Sequence, residues 1–216
     1  ATLGMALPRA SFPAWFWDYD NDGYSDIVAW GSGGLQIYRG VPGGQFHDAG
    51  EVFVDLPSAV STCDFGDIDL DGDSDLVVID DERVRWYVND GGNANHWIDI
   101  TLRAESDPKL PSQRTNNYGI GSLLELKSGA IYQSQTVNAQ TTHFGLGQSE
   151  RADVLRVLFT NGIPQNILTP IAGQHVVADQ RILKGSCPYL YTWTGERYEF
   201  FTDLLWASPI GLQFAE

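Results

Sequence analysis

From Ile98 onward apolar and polar residues alternate, with Ile98, Ile100, Leu102 and Ala104 set against Asp99, Thr101, Arg103 and Glu105. A period of two is that of a strand with one buried face. The same pattern predicts strands over Leu123–Lys127, Ile131–Val137, Val154–Phe159 and His175–Asp179, separated by turn clusters such as Asn116-Asn-Tyr-Gly119 and Thr160-Asn-Gly-Ile-Pro164. No long amphipathic helix is predicted, and an antiparallel β-sandwich over residues 94–183 is the economical fold. Beyond it, Pro188–Trp193 and Glu196–Phe201 flank Thr194-Gly195 as two aromatic-rich runs, which predicts a β-hairpin. An isolated hairpin is marginal in water, so most of its aromatics are expected in core packing rather than in a sugar-stacking platform. Residues 184–216 then read as a hairpin that either packs on the preceding domain or starts a further one.

The N-terminal part has a different texture. Short apolar runs, Ile27-Val-Ala-Trp30 and Leu76-Val-Val-Ile79, each follow an acidic nonapeptide. Asp18-Tyr-Asp-Asn-Asp-Gly-Tyr-Ser-Asp26 returns 49 residues later as Asp67-Ile-Asp-Leu-Asp-Gly-Asp-Ser-Asp75. At the same offset Phe16 matches Phe65, Ile37 matches Trp86 and Tyr38 matches Tyr87, without a gap. Each unit is therefore strand, acidic loop, strand, turn, strand. Residues 1–93 are expected to hold two such all-β units of propeller-blade type, too few to close a ring that typically needs four or more.

Carboxylates at every second position repel one another unless a cation lies among them, and an all-oxygen, multiply charged set suits a hard ion, Ca2+ above all. Asp18, Asp20 and Asp22, like Asp67, Asp69 and Asp71, offer side-chain oxygens at loop positions 1, 3 and 5. Position 7 falls to the backbone carbonyl of Tyr24 or Asp73, and Asp26 or Asp75 closes the shell at position 9. Gly23 and Gly72 supply the sharp turn. An EF-hand is excluded, because position 12 is Ala29 or Val78 inside a β-branched run, where a bidentate Glu and a helix would be needed.

Thirteen basic residues against 28 acidic ones give a formal charge of −15, which two calcium ions would raise only to −11. With three lysines in the chain, nucleic acid is not expected as a partner, and anionic membrane surfaces are disfavoured likewise. No apolar run approaches the roughly 20 residues that span a bilayer. Weak calcium sites work where the free ion is abundant, so a secreted, cell-surface or periplasmic setting is expected. The chain is expected to be a piece of a longer one. Cys63 and Cys187 allow a disulfide, but a count of two does not decide it, and neither has zinc-ligand or CxxC spacing.

The segment from Phe12 to Asn89 resembles two FG-GAP/VCBS repeats, the calcium-loop blades of integrin α-subunit propellers and many secreted bacterial proteins. The segment C-terminal to these repeats is similar to the ASPIC/UnbV domain, through Asn95-His-Trp-Ile-Asp-Ile-Thr-Leu102, Tyr118-Gly-Ile-Gly121, His143-Phe-Gly-Leu-Gly147 and Ala152-Asp-Val-Leu-Arg-Val157. Repeats followed by that domain are the order found in the family of cartilage acidic protein and its bacterial relatives. Only two repeats are present here, where relatives carry several.

His47, His96, His143 and His175 are scattered, and none stands in a motif with a nucleophile or carboxylate. In HFGLG, His143 is expected to set a turn by hydrogen bonding, with Gly145 and Gly147 in unusual dihedrals. The leading expectation is a non-enzymatic, calcium-stabilised extracellular recognition, adhesion or scaffold module for a protein or glycan partner. Two other readings stand beside it: the non-catalytic part of a secreted carbohydrate-active enzyme, and a surface or filament protein that assembles with another chain through exposed strand edges.

Overall fold

A computed structural model of the chain describes residues 13–31, 34–49, 55–80, 83–104, 116–162, 164–181 and 189–203. Glu105, Cys187 and the stretch Leu204–Glu216 lie outside the described residues.

The first repeat is an antiparallel sheet of β1 (Ala14–Trp17), β2 (Asp26–Gly31), β3 (Gly34–Val41) and β4 (Gln45–Asp48), in that order. The second is β5 (Thr62–Gly66), β6 (Asp75–Ile79) and β7 (Val84–Tyr87). Their registers correspond: Trp17 faces Asp26 as Gly66 faces Asp75, and Phe16 faces Ile27 as Phe65 faces Leu76. Each acidic loop is thus the connection of a hairpin, and its last aspartate is the first residue of the returning strand. Val28, Trp30 and Ile37 of the first repeat share one buried cluster with Cys63, Leu76 and Val78 of the second. Two blades that cannot bury their faces alone do so against each other. Among the described residues these two sheets do not close a propeller.

A 3-10 turn, Gly92–Ala94, leads into β8 (His96–Arg103). Six strands come next in the same compact unit: β9 (Leu123–Ser128), β10 (Ile131–Thr136), β11 (Thr142–Gly147), β12 (Val154–Leu158), β13 (Pro164–Leu168) and β14 (Gln174–Asp179). They form two sheets, β10-β9-β12-β13 and β11-β8-β14. The alternation in β8 is realised as expected, with Ile98, Ile100 and Leu102 in a core with Leu124, Leu126, Phe144, Leu146, Leu155 and Val157. Three features differ from the sequence reading. HFGLG forms strand β11 rather than a turn, Pro164–Leu168 forms edge strand β13, and β14 runs parallel to β8 within an otherwise antiparallel pair of sheets.

Residues 181–216 form a second compact unit, in which β15 (Tyr189–Trp193) and β16 (Tyr198–Asp203) make the expected hairpin. Its turn is closed by Thr194 N–H donating to the Arg197 carbonyl at 2.9 Å. Trp193 and Tyr198, both with exposed side chains, pack on each other at 5.2 Å. No helix among the described residues is long and apolar enough to cross a membrane.

Candidate metal centres and the adjoining cleft

Both acidic loops fold the same way because the same two positions take left-handed backbone. Asn21 (φ 56°) and Gly23 (φ 86°) in the first loop correspond to Leu70 (φ 66°) and Gly72 (φ 98°) in the second. Asn tolerates this conformation and Gly adopts it freely, whereas Leu70, 83% exposed, holds it at a steric cost. The resulting turns aim backbone N–H groups at the carboxylates. Gly23 N–H donates to Asp18 Oδ2 (3.0 Å) and Gly72 N–H to Asp67 Oδ2 (3.1 Å). Tyr24 N–H donates to Asp22 Oδ1 and Asp73 N–H to Asp71 Oδ1, at 2.9 and 3.1 Å.

Carboxylate oxygens of Asp18, Asp20 and Asp22 lie within 4.8 Å of one another, and so do those of Asp67, Asp69 and Asp71. Asp26 and Asp75 are fully buried and staple the loops to the neighbouring strands. Asp26 accepts from Tyr19 N–H (2.9 Å) and Gly40 N–H (2.7 Å), and Asp75 from Ile68 N–H (3.0 Å) and Asn89 N–H (2.9 Å).

The charge concentrated here is costly. Burial, then the neighbouring Asp26, Asp22 and Asp20, hold the Asp18 carboxyl well above its ordinary range. Burial pushes Asp26 up to about 7 despite its two N–H donors, and burial with nearby Asp20 pushes Tyr19 up to about 12. Loss of solvation and the Asp71 carboxylate raise Asp69. Asp18 Oδ1 is buried with no hydrogen-bond partner. An orphaned carboxylate oxygen inside a carboxylate trio is the donor set of a hard divalent cation, so the residues present fit calcium. Such an ion would neutralise the repulsion and give the orphan a ligand role.

The two loops are not equivalent. Arg39 Nη2 lies 2.6 Å from Asp20 Oδ2 and 2.8 Å from Asp22 Oδ2, while the residue 49 positions on is Val88.

Asn21 is the hub of the region. Its Nδ2 donates to the carbonyls of Gly72 (2.9 Å) in the other loop and Gly92 (3.3 Å), and its Oδ1 lies 2.7 Å from His143 Nε2. Strand β11 approaches so closely that a Cβ on Gly145 would stand 2.2 Å from Asp18 Oδ2. Gly147 N–H donates to the Asn21 carbonyl at 2.8 Å. The glycines of HFGLG are therefore there chiefly for contact with the first acidic loop; only Gly147 takes positive φ (57°).

On the outward face of the β11-β8-β14 sheet, Asp99 lies between two register partners, His143 and His175. His143 Nδ1 is 2.8 Å from Asp99 Oδ1, and Trp97 stacks on the His143 ring. His175 Nε2 meets Thr101 Oγ1 at 2.7 Å. Two of the four histidines that look scattered along the chain, His143 and His175, thus share one row. The only sequence signal for it is that Asp99 occupies an outward position of the β8 alternation. A cleft of about 860 Å³ is lined by this row and by Asp18 and Asp67 of the two loops.

Residues 18–78 match the FG-GAP-like repeat. The matched segment runs from the first aspartate of the first loop to Val78 in β6, so it contains both acidic loops of the FG-GAP repeats. No curated protein matches the chain.

Proposed function

We propose that this chain is a calcium-stabilised extracellular recognition or scaffold module. The observation that carries it is the pair of carboxylate trios, one holding the buried, unpartnered Asp18 Oδ1. In this reading one calcium binds each loop, at Asp18, Asp20, Asp22 and Asp26 with the Tyr24 carbonyl, and at Asp67, Asp69, Asp71 and Asp75 with the Asp73 carbonyl. The ion binds only the ordered loops, so its binding free energy becomes folding free energy. The acidic composition and the abundance of calcium outside cells support a secreted, cell-surface or periplasmic location. Residues 94–183 are proposed to be an ASPIC/UnbV-like domain; the close seat of HFGLG on the first loop is a physical reason for that motif to accompany such repeats. Melting in calcium against melting in EGTA tests the metal. At free calcium about a hundred times Kd each site adds about 2.7 kcal/mol. Asp20→Ala and Asp69→Ala should each remove part of the rise in Tm, and coincident melts of the unaltered protein would refute the reading.

A second reading, an enzyme or part of one, is favoured by the His143–Asp99–His175 row beside a cleft. Turnover of a polysaccharide panel by lyase, dehydratase or hydrolase chemistry, lost in His175→Ala, would establish it.

A further inference from the structure

The cleft between the acidic loops and the sandwich has features that a metal-stabilising scaffold does not need. Its volume of about 860 Å³ lies within the roughly 300–1,000 Å³ range of small-molecule sites. Two exposed aromatic residues are among those lining it, Phe16 on β1 (69% exposed) and Tyr132 on β10 (61% exposed), the latter with its hydroxyl donating to Glu125. Phe65, another lining residue, stacks on Trp17 at 5.0 Å and meets Trp15 edge-on at 6.1 Å. Exposed rings of this kind cost solvation unless something covers them.

The polar lining points to the chemistry of the cover. Gln133 and Gln135 each spend an amide N–H on a carbonyl of β11, Gly145 at 2.6 Å and His143 at 2.9 Å, which pins both side chains in the cleft wall. Their Oε1 atoms remain as acceptors, and Ser134 and Asn138 beside them are neutral donors and acceptors. Thr142, another lining residue, has a buried hydroxyl with no hydrogen-bond partner. Among the described lining residues there is no lysine or arginine, so an anionic ligand would find no permanently charged side-chain counter-ion there. The carboxylates present are engaged: Asp18 and Asp67 belong to the metal trios and Asp99 is paired with His143. Aromatic faces with pinned neutral amides and hydroxyls, without lysine or arginine among the described lining residues, complement a ligand that is apolar on its ring faces and hydroxylated at its edges.

We propose that this cleft binds a short stretch of an uncharged polysaccharide, with Phe16 and Tyr132 stacking on sugar rings and the Gln133–Gln135 wall reading their hydroxyls. The proposal rests on the recognition reading and gives it a ligand class and a location. The metal loops and the row both line it, and the row is tied to the loops through His143 and Asn21, so binding weakens when calcium is removed.

Isothermal titration of the full chain with cellohexaose, maltohexaose and chitohexaose, in calcium and in EGTA, tests it, with the melting curve recorded on each sample. The expected result is saturable binding of at least one hexasaccharide, weakened about tenfold by Phe16→Ala or Tyr132→Ala, with the calcium-dependent rise in Tm unchanged in both variants. A normal calcium shift with no hexasaccharide bound at millimolar concentration overturns the cleft and leaves the metal reading standing. Hexasaccharide binding without any calcium shift keeps the cleft and overturns the metal reading. Binding that survives both substitutions, or that favours an oligolysine peptide over every sugar, overturns the assignment of place or of class.

Discussion

Asn21 and His143, 122 residues apart, meet at 2.7 Å between Oδ1 and Nε2. The Asn21 amide is oriented by its two N–H bonds to the carbonyls of Gly72 and Gly92, so its oxygen faces the imidazole and Nε2–H must donate. On the other side of the ring Nδ1 faces Asp99 Oδ1, also an acceptor, at 2.8 Å. In this geometry the ring of His143 bridges the first acidic loop and the sandwich, with an oxygen partner at each nitrogen. Asn21→Ala removes three hydrogen bonds and places alanine at φ 56°, so it should cost about 3 kcal/mol in urea unfolding. A double-mutant cycle with His143→Ala should give a coupling of about 1–2 kcal/mol. Additive losses would mean that the two residues do not act through each other.

The close seats of Gly145 and Gly72 carry a second prediction. A Cβ on Gly145 would meet Asp18 Oδ2 at 2.2 Å and the Asn21 backbone at 2.6 Å; on Gly72 it would meet Trp97 Nε1 at 1.8 Å. Neither clash relaxes by turning one flexible side-chain end, so each alanine should cost about 3 kcal/mol. Gly43 has φ 92° but open space around it, and its alanine variant should lose only about 1 kcal/mol. Thermal melts of the three variants separate crowding from backbone strain. In addition, Gly145→Ala should weaken calcium binding at the first loop and leave the second unchanged.

The acidic loops, the blade pattern and five of the seven sandwich strands are legible in the sequence because each is a local signal, a spacing of aspartates or a period of two. HFGLG misleads for a physical reason: its glycines imitate a turn, while in the fold Gly145 serves a contact with a loop more than 120 residues earlier in the chain. The parallel pairing of β14 with β8 is illegible because side-chain alternation does not depend on a neighbour's direction. For the same reason the His143–Asp99–His175 row cannot be foreseen, since it depends on the register of three strands from distant parts of the chain.

Stability should depend on pH with opposite sign in chelator and in calcium. Without metal, Asp18 and Asp26 have folded-state pKa values above the roughly 3.9 of an unfolded aspartate, Asp26 at about 7. A raised folded pKa gives stability that is complete below the unfolded value and is lost as pH rises through the folded one. In EGTA, Tm should therefore fall from about pH 5 to pH 7.5. With calcium the ionised carboxylates are the bound form, protons compete with the metal, and Tm should fall as pH drops over the same window. Scanning fluorimetry in the two buffers checks both slopes; parallel slopes would mean that these carboxylates do not hold the ion.

Arg39 makes the first loop a different site from the second. Its Nη2 binds Asp20 Oδ2 and Asp22 Oδ2, and the remaining oxygens of those two carboxylates already accept backbone N–H groups, of Asp22 at 3.3 Å and Tyr24 at 2.9 Å. A cation entering this loop has to displace or share with the guanidinium, whereas in the second loop the corresponding residue is Val88 and no such competition arises. Arg39 is exposed, and its pairs are worth roughly 1 kcal/mol or less in water. Arg39→Ala should therefore lower Tm slightly in EGTA and tighten calcium binding at the first loop about three- to fivefold, leaving the second unaltered. Calorimetry of Arg39→Ala in an Asp69→Ala background isolates the first loop. Weaker calcium binding there would mean that Arg39 supports the occupied site instead of standing in for the ion.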